Sequence, residues 1–235
     1  MILLAVMAAL LSSQSIKLDS GPPSIAKAFE LKSSMGENAF GREVDAAIGK
    51  LRDRAETTGR CATSAETAAA AEFALVRQTS DPAAFANSRD AAEAALAQRR
   101  ELRMQYLGGG QVSPPYGLVG QMIARANAEP EPRLATLYRR MAEDQFSRID
   151  SATLEPFFGP GVHTSWEKGL DDGALAYVDE IVASEWCAND VANAAWLKAD
   201  VEMHGWYKVS VYGAAADNAA WSIAQHARHD LPFQK

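Results

Sequence analysis

Cysteine, clustered basic charge and long apolar runs are all scarce in this sequence, and each scarcity removes a class of protein. Two cysteines, Cys61 and Cys187, are too few for a disulfide framework, and no CxxC or Cys/His spacing marks a zinc site. No Lys/Arg cluster exceeds a pair and the formal net charge is -7, so the counterion release that drives nucleic-acid binding is missing. Nucleic acid is not expected as a partner. The apolar run at 2–11 is too short to span a bilayer, and no stable span is expected once the chain is processed. A GxSxG nucleophile elbow, a P-loop, a dinucleotide-binding glycine pattern and an HExxH helix are all missing. No cofactor and no resident metal are expected; His226 and His229 followed by Asp230 have a possible ligand spacing but lack a third placed ligand.

What is present is the composition of an ordinary globular chain, 48% hydrophobic and 23% charged over 235 residues. That length suits one domain, or one domain with an extended N-terminal part. Residues 1–15 read as a signal peptide: an apolar core followed by small polar residues, with cleavage near Ser13 to Ser15 and a basic n-region lacking beyond the terminal amine. The expected location is periplasmic or secreted; the competing reading is an N-terminal helix tucked into the core. In an oxidising compartment Cys61 and Cys187 either close a loop of about 126 residues, worth about 4 kcal/mol, or remain two thiols.

The pattern predicts an all-α fold, an irregular helical bundle with one short extended segment at 207–212. Residues 16–128 read as an N-terminal helical segment and 129–235 as a C-terminal helical domain. The stretch 16–37 reads as a linker, because Gly21-Pro22-Pro23 forbids regular structure at its start. Helices are expected at 40–57, 64–79, 82–107 and 118–127, the third opened by the Ser80-Asp81-Pro82 start signal and closed by Gly108-Gly109-Gly110. Further helices are expected at 133–150, 166–186, 191–204 and 214–229, with loops at 112–117 and 157–161.

Polar residues on apolar helix faces point to a site. At about 100° per residue, Leu134, Leu137, Tyr138, Met141 and Ile149 share one face, and Gln145 and Arg148 fall inside it with Asp144 at its edge. A buried guanidinium needs a carboxylate, a ligand anion or several carbonyls. On 191–204 the apolar Ala194, Leu197 and Val201 are flanked by Asn193, Asp200 and His204. Asp200 is four residues before His204, which lies at a helix C-terminus closed by Gly205. Both features favour a protonated imidazole, which suits a general acid or an anion binder; they equally suit a plain helix end. On 214–229, Ala216, Ala219, Ala220, Ile223 and Ala227 form a small-residue face, and His226 flanks it.

Asp144-Gln145 with Arg148, Asn193 before Leu197-Lys198, His204-Gly205-Trp206, Gly213, Gln225-His226-Ala227 and Phe233-Gln234 together resemble an uncharacterised bacterial domain family marked by a DQxxR helix, a His-Gly-Trp-Pro turn and a Gln-His-Ala-Asp helix end. The resemblance covers roughly 134–234 and implies a helical domain, but no reaction. Tyr207 stands where that turn has Pro, and Arg228 where the helix end has Asp, so any orienting of His226 by that Asp is lost here.

Two functions follow. In the first, Arg148 binds a small anionic ligand, His204 is the acid or base with Asp200 orienting it, and Gln145, Asn193 and His226 supply hydrogen bonds. In the second, a non-catalytic envelope interaction protein uses the same residues as a buried network that fixes helix register.

Overall fold

A computed structural model describes residues 15–111, 116–149 and 164–234, and among them every regular element is helical. The leader at 2–11, the Pro-Pro pair at 114–115 and the 157–161 loop lie outside the described residues. In chain order the helices are α1 Ile25–Met35, α2 Glu37–Thr58, α3 Ser64–Gln78, α4 Pro82–Leu107, α5 Gly117–Ala128, α6 Pro132–Ser147, α7 Asp172–His204, α8 Val209–Tyr212, α9 Ala214–His226 and α10 Leu231–Gln234. No helix among the described residues is long and apolar enough to cross a membrane. The chain forms two compact units. One comprises Met1–Arg54, Ala62–Ala92 and Leu170–Ile181, the other Ala55–Cys61, Glu93–Gly169 and Val182–Lys235, so the divisions fall inside α2, α4 and α7.

The first unit is organised around α3, whose alanine-rich sequence lets neighbours approach on all sides; Ala69, Ala70, Ala71, Leu75 and Val76 are buried. Its start is a capping box, with Thr63 Oγ1 accepting from Glu66 N and Glu66 returning the bond to Thr63 N at 2.8 Å. Glu66 also takes both guanidinium nitrogens of Arg54 at 2.8 Å, and that pairing holds its carboxyl down at about 2. The other end of α3 is closed by Lys32, whose ammonium donates to the carbonyls of Val76, Arg77 and Thr79 at 3.1, 3.2 and 2.7 Å.

Lys32 stands on α1, in the stretch expected to be a linker. Ser24 caps α1 by accepting from Lys27 N, and Gly36 ends it at φ 78, a conformation that costs glycine nothing. The expected start signal of α4 is observed: Asp81 accepts from Ala83 N and Ala84 N at 2.9 Å.

In the second unit α6 packs against α5 on one side and α9 on the other. Leu134, Leu137, Tyr138 and Met141 meet Leu197 of α7 and the small-residue face of α9, where Ala216, Ala219, Ala220 and Ile223 are buried. Ala142 and Phe146 turn to a second cluster with Tyr106, Tyr116, Val119 and Ile123. There Trp166 Nε1 donates to the Tyr116 hydroxyl at 3.0 Å, and burial pushes that phenol up to about 12. Cys61 and Cys187 form a disulfide with Cα atoms 5.7 Å apart, which resolves the open alternative in favour of the bridge.

Two expectations are corrected. The helices read at 166–186 and 191–204 are one 33-residue helix, α7, whose start is set by Asp171 accepting from Ala174 N at 2.8 Å; residues 165–169 are a turn. The segment at 207–212 is not extended: Tyr207 is buried, α8 makes one turn, and Val209 and Val211 are both exposed, so their alternation marks no strand.

Candidate functional site

Three arginines two turns apart on α6 face α7, which runs antiparallel to it. Arg133 reaches Asp200, Arg140 reaches Asn193, and Arg148, the C-cap of α6, reaches Asp190. These three rungs differ in how completely they are closed.

At the first rung Arg133 Nε donates to Asp200 Oδ2 at 2.8 Å, Nη1 to the Tyr212 hydroxyl at 3.0 Å and Nη2 to the Gly205 carbonyl at 2.6 Å. Its guanidinium also lies 4.0 Å from the centre of the Tyr207 ring. At the middle rung Arg140 Nη1 donates to Asn193 Oδ1 at 3.0 Å, with Trp196 beneath the guanidinium at 4.8 Å.

The third rung is a cluster. Arg148 Nη2 lies between Asp190 Oδ1 and Asp144 Oδ1, the latter at 3.3 Å, and His226 Nδ1 lies 3.1 Å from Asp144 Oδ1. Gln145 Nε2 donates to the second Asp144 oxygen at 2.9 Å. Asp144 is fully buried; burial alone would raise its pKa, but the His226 bond and the Arg148 charge outweigh it and hold the carboxyl below its ordinary value. Asp190 goes the other way. Burial pushes it up to about 6, opposed by Arg148 and reinforced by the neighbouring Asp144. One guanidinium cannot neutralise two carboxylates, and the neighbouring Asp144 charge is part of what raises Asp190.

The end of α6 is pinned beside this cluster. The Ser147 carbonyl accepts from Trp186 Nε1 and from Arg99 Nη2, and Ser147 Oγ donates to the Asp144 carbonyl at 2.7 Å. The bridged Cys187 lies one turn before Asp190 on α7. His226 closes α9 and lines an open cleft of about 490 Å³ with Trp221, Ala224, Gln225 and Arg228. The imidazole therefore joins a buried carboxylate to a solvent-facing cleft.

Of the residues singled out from sequence, Gln145, Arg148 and His226 come together. Asn193 is buried at the middle rung. Asp200 is turned to Arg133, not to His204, and no hydrogen bond joins the two among the described residues. His204 is exposed, 14 residues beyond Asp190 on the same helix and so about 21 Å away along its axis. Sequence reasoning missed Asp190 and Arg140 and placed Asp144 only at an edge. The two-turn spacing of Arg133, Arg140 and Arg148 was a signal available for the ladder.

Asp144, Asp190 and His226 each offer a ligand atom, all within 4.8 Å of one another, the set a divalent ion uses. The Arg148 guanidinium already bridges both carboxylates, so an ion there would have to displace it. Comparison with family models, curated proteins and solved structures finds no match for the chain.

Proposed function

We propose that this is an exported protein whose second unit binds a small anionic ligand in the cleft at His226, with the imidazole as proton donor or acceptor and Asp144 as the residue that orients it. The observation that carries this reading is the contact between His226 Nδ1 and the buried Asp144 carboxylate at 3.1 Å, with the ring lining the cleft. A carboxylate bonded to Nδ1 fixes the tautomer and leaves Nε2 for the ligand, the arrangement acid–base catalysis requires. In this reading the acid/base role assigned to His204 passes to His226. Arg148, engaged by two carboxylates, is the counter-ion of the cluster rather than the group that grips the ligand. Export is supported by the apolar run at 2–11 and by the Cys61–Cys187 bridge, a bond that persists in oxidising compartments.

The test is imidazole 15N NMR with benzoate and inorganic phosphate as probes. At least one anion moves the His226 signals in a saturable way, and Asp144→Asn weakens that response by about tenfold, the size of a lost orienting bond. A flat His226 response to both anions defeats the proposal. Mass spectrometry of the protein from its native host checks export: the mature chain begins between about residues 14 and 18.

The second reading is a register network without ligand chemistry. It is favoured by the Arg133 and Arg140 rungs, which connect α6 to α7 and present nothing to the cleft. In that case Asp144→Asn lowers stability and neither anion binds.

A further inference from the structure

The cleft at His226 does not end there. Trp221 and Ala224 of α9 are shared with a second hollow of about 590 Å³, walled also by Val201, Trp206 and Phe233. That volume suits a small organic molecule. Trp221 is 54% exposed, an unusual state for an indole, and lines both hollows.

The two hollows differ in chemistry. In the larger one two of the polar groups are engaged elsewhere: Trp206 Nε1 donates to Asp217 Oδ1 at 2.7 Å and Lys198 Nζ to Asp230 Oδ2 at 2.8 Å. A sugar laid there would have only Glu202 and the other Lys198 protons for its many hydroxyls, whereas an apolar body meets Val201, Trp206, Trp221 and Phe233. The wall of this hollow carries one carboxylate, Glu202, and one ammonium, Lys198, which offset each other and give an anionic head no net attraction at this end. The smaller hollow is lined by Trp221, Ala224, Gln225, His226 and Arg228, with no carboxylate among them. Arg228 shares its guanidinium with Glu56 at 3.3 Å and is largely exposed. The chemistry thus runs from apolar and charge-balanced at one end to cationic and hydrogen-bonding at the other.

We infer that the ligand is an amphiphilic anion, an apolar ring or chain seated against Trp206, Trp221 and Phe233 with its acidic head at His226 and Arg228. This rests on the proposed role of His226 and adds the class of molecule that the site takes. The head meets the imidazole that Asp144 orients, so the body in the larger hollow is what brings the acidic group to Nε2.

Calorimetry on the full chain with 2-naphthoate, the neutral 2-naphthol and cellobiose tests it. The expected order is 2-naphthoate strongest, 2-naphthol weaker by about tenfold, and cellobiose without measurable heat. Trp221→Ala, at a half-exposed position and checked for intact folding by circular dichroism, weakens both naphthalene probes by about tenfold or more. His226→Gln abolishes the preference for naphthoate over naphthol. If naphthoate binds no better than benzoate and Trp221→Ala changes neither, the apolar seat is wrong while the His226 site survives. If naphthoate and naphthol bind equally in the wild type and His226→Gln alters neither, the His226 reading itself is overturned. Binding of cellobiose in preference to the naphthalenes overturns the ligand class. A dimer in sedimentation that Trp221→Ala dissolves identifies the hollow as a self-association surface and also overturns it.

Discussion

The two ends of the α6–α7 pair use the same residue types to different effect. At the Arg133 end one guanidinium meets one carboxylate and also donates to a hydroxyl and a backbone carbonyl, with an aromatic ring beneath. Charge is balanced and there is nothing left to exchange. At the Arg148 end one guanidinium meets two carboxylates, and a histidine facing a cleft completes the set. A balanced pair is a strut. The cluster at the other end carries more carboxylate than guanidinium, beside a ring that lines a cleft.

The comparison breaks most sharply on stability. Asp144→Ala removes the carboxylate on which Arg148, Gln145 and His226 converge and leaves their donors without that acceptor, at about 1–3 kcal/mol for each buried group left unmet, so urea unfolding should show a loss of about 3 kcal/mol or more. Replacing Arg133 and Asp200 together by Met and Leu removes both charges of the strut at once and should be neutral or stabilising by about 1–4 kcal/mol. A comparable loss in both experiments would erase the distinction between the ends.

A smaller effect lies in the pH profile. Asp190, raised to about 6 in the folded chain, binds its proton more tightly there than when unfolded. Its contribution to stability is therefore greatest at low pH, falls as pH rises from about 4 to 6, and is flat above. Asp144, held below its ordinary value, works in the opposite sense and loses stability only as pH drops through its lowered folded value. Asp190→Asn should flatten the decline between about pH 4 and 6, a change on the order of 1–3 kcal/mol, in melting curves taken across that range. An unchanged slope would show that Asp190 is not raised in the folded chain. The smallest effect is expected from His204→Ala, within about 0.5 kcal/mol and silent in the His226 NMR signals, because the ring is exposed.

Much of this architecture is legible from helical phase. The apolar faces of α6 and α9 came directly from their spacing, and so did the intrusion of Gln145 and Arg148 into the first of them. The partner of Arg148 did not. Asp190 follows Cys187-Ala188-Asn189 at a point where the strong helix formers and the aromatics pause, and a weak stretch reads as a gap. In the fold a disulfide and an ion pair hold that stretch helical, both invisible to a local pattern. Asp200 shows a related limit. Its four-residue spacing to His204 is a sound local match, but a guanidinium from another helix competes for the same oxygen, and its charge and fork of donors win over an exposed imidazole. Lys32 repeats the lesson in the first unit, where carbonyls from α3 explain order in a segment that looked like a connector.

The bridge between Cys61 and Cys187 gives the chain a covalent ring, and the ring has a consequence for proteolysis. Asp144 and Arg148 lie on the closed loop, while Asp190 and His226 lie on the tail that leaves it. A protease that cuts once anywhere between 62 and 186 opens the ring but releases no fragment, since both pieces remain tied through the sulfurs. Such a nicked molecule keeps its mass, apart from one added water, and keeps all four cluster residues on one covalent body. Where the cut falls between 149 and 186, only a reductant separates the two halves of the site.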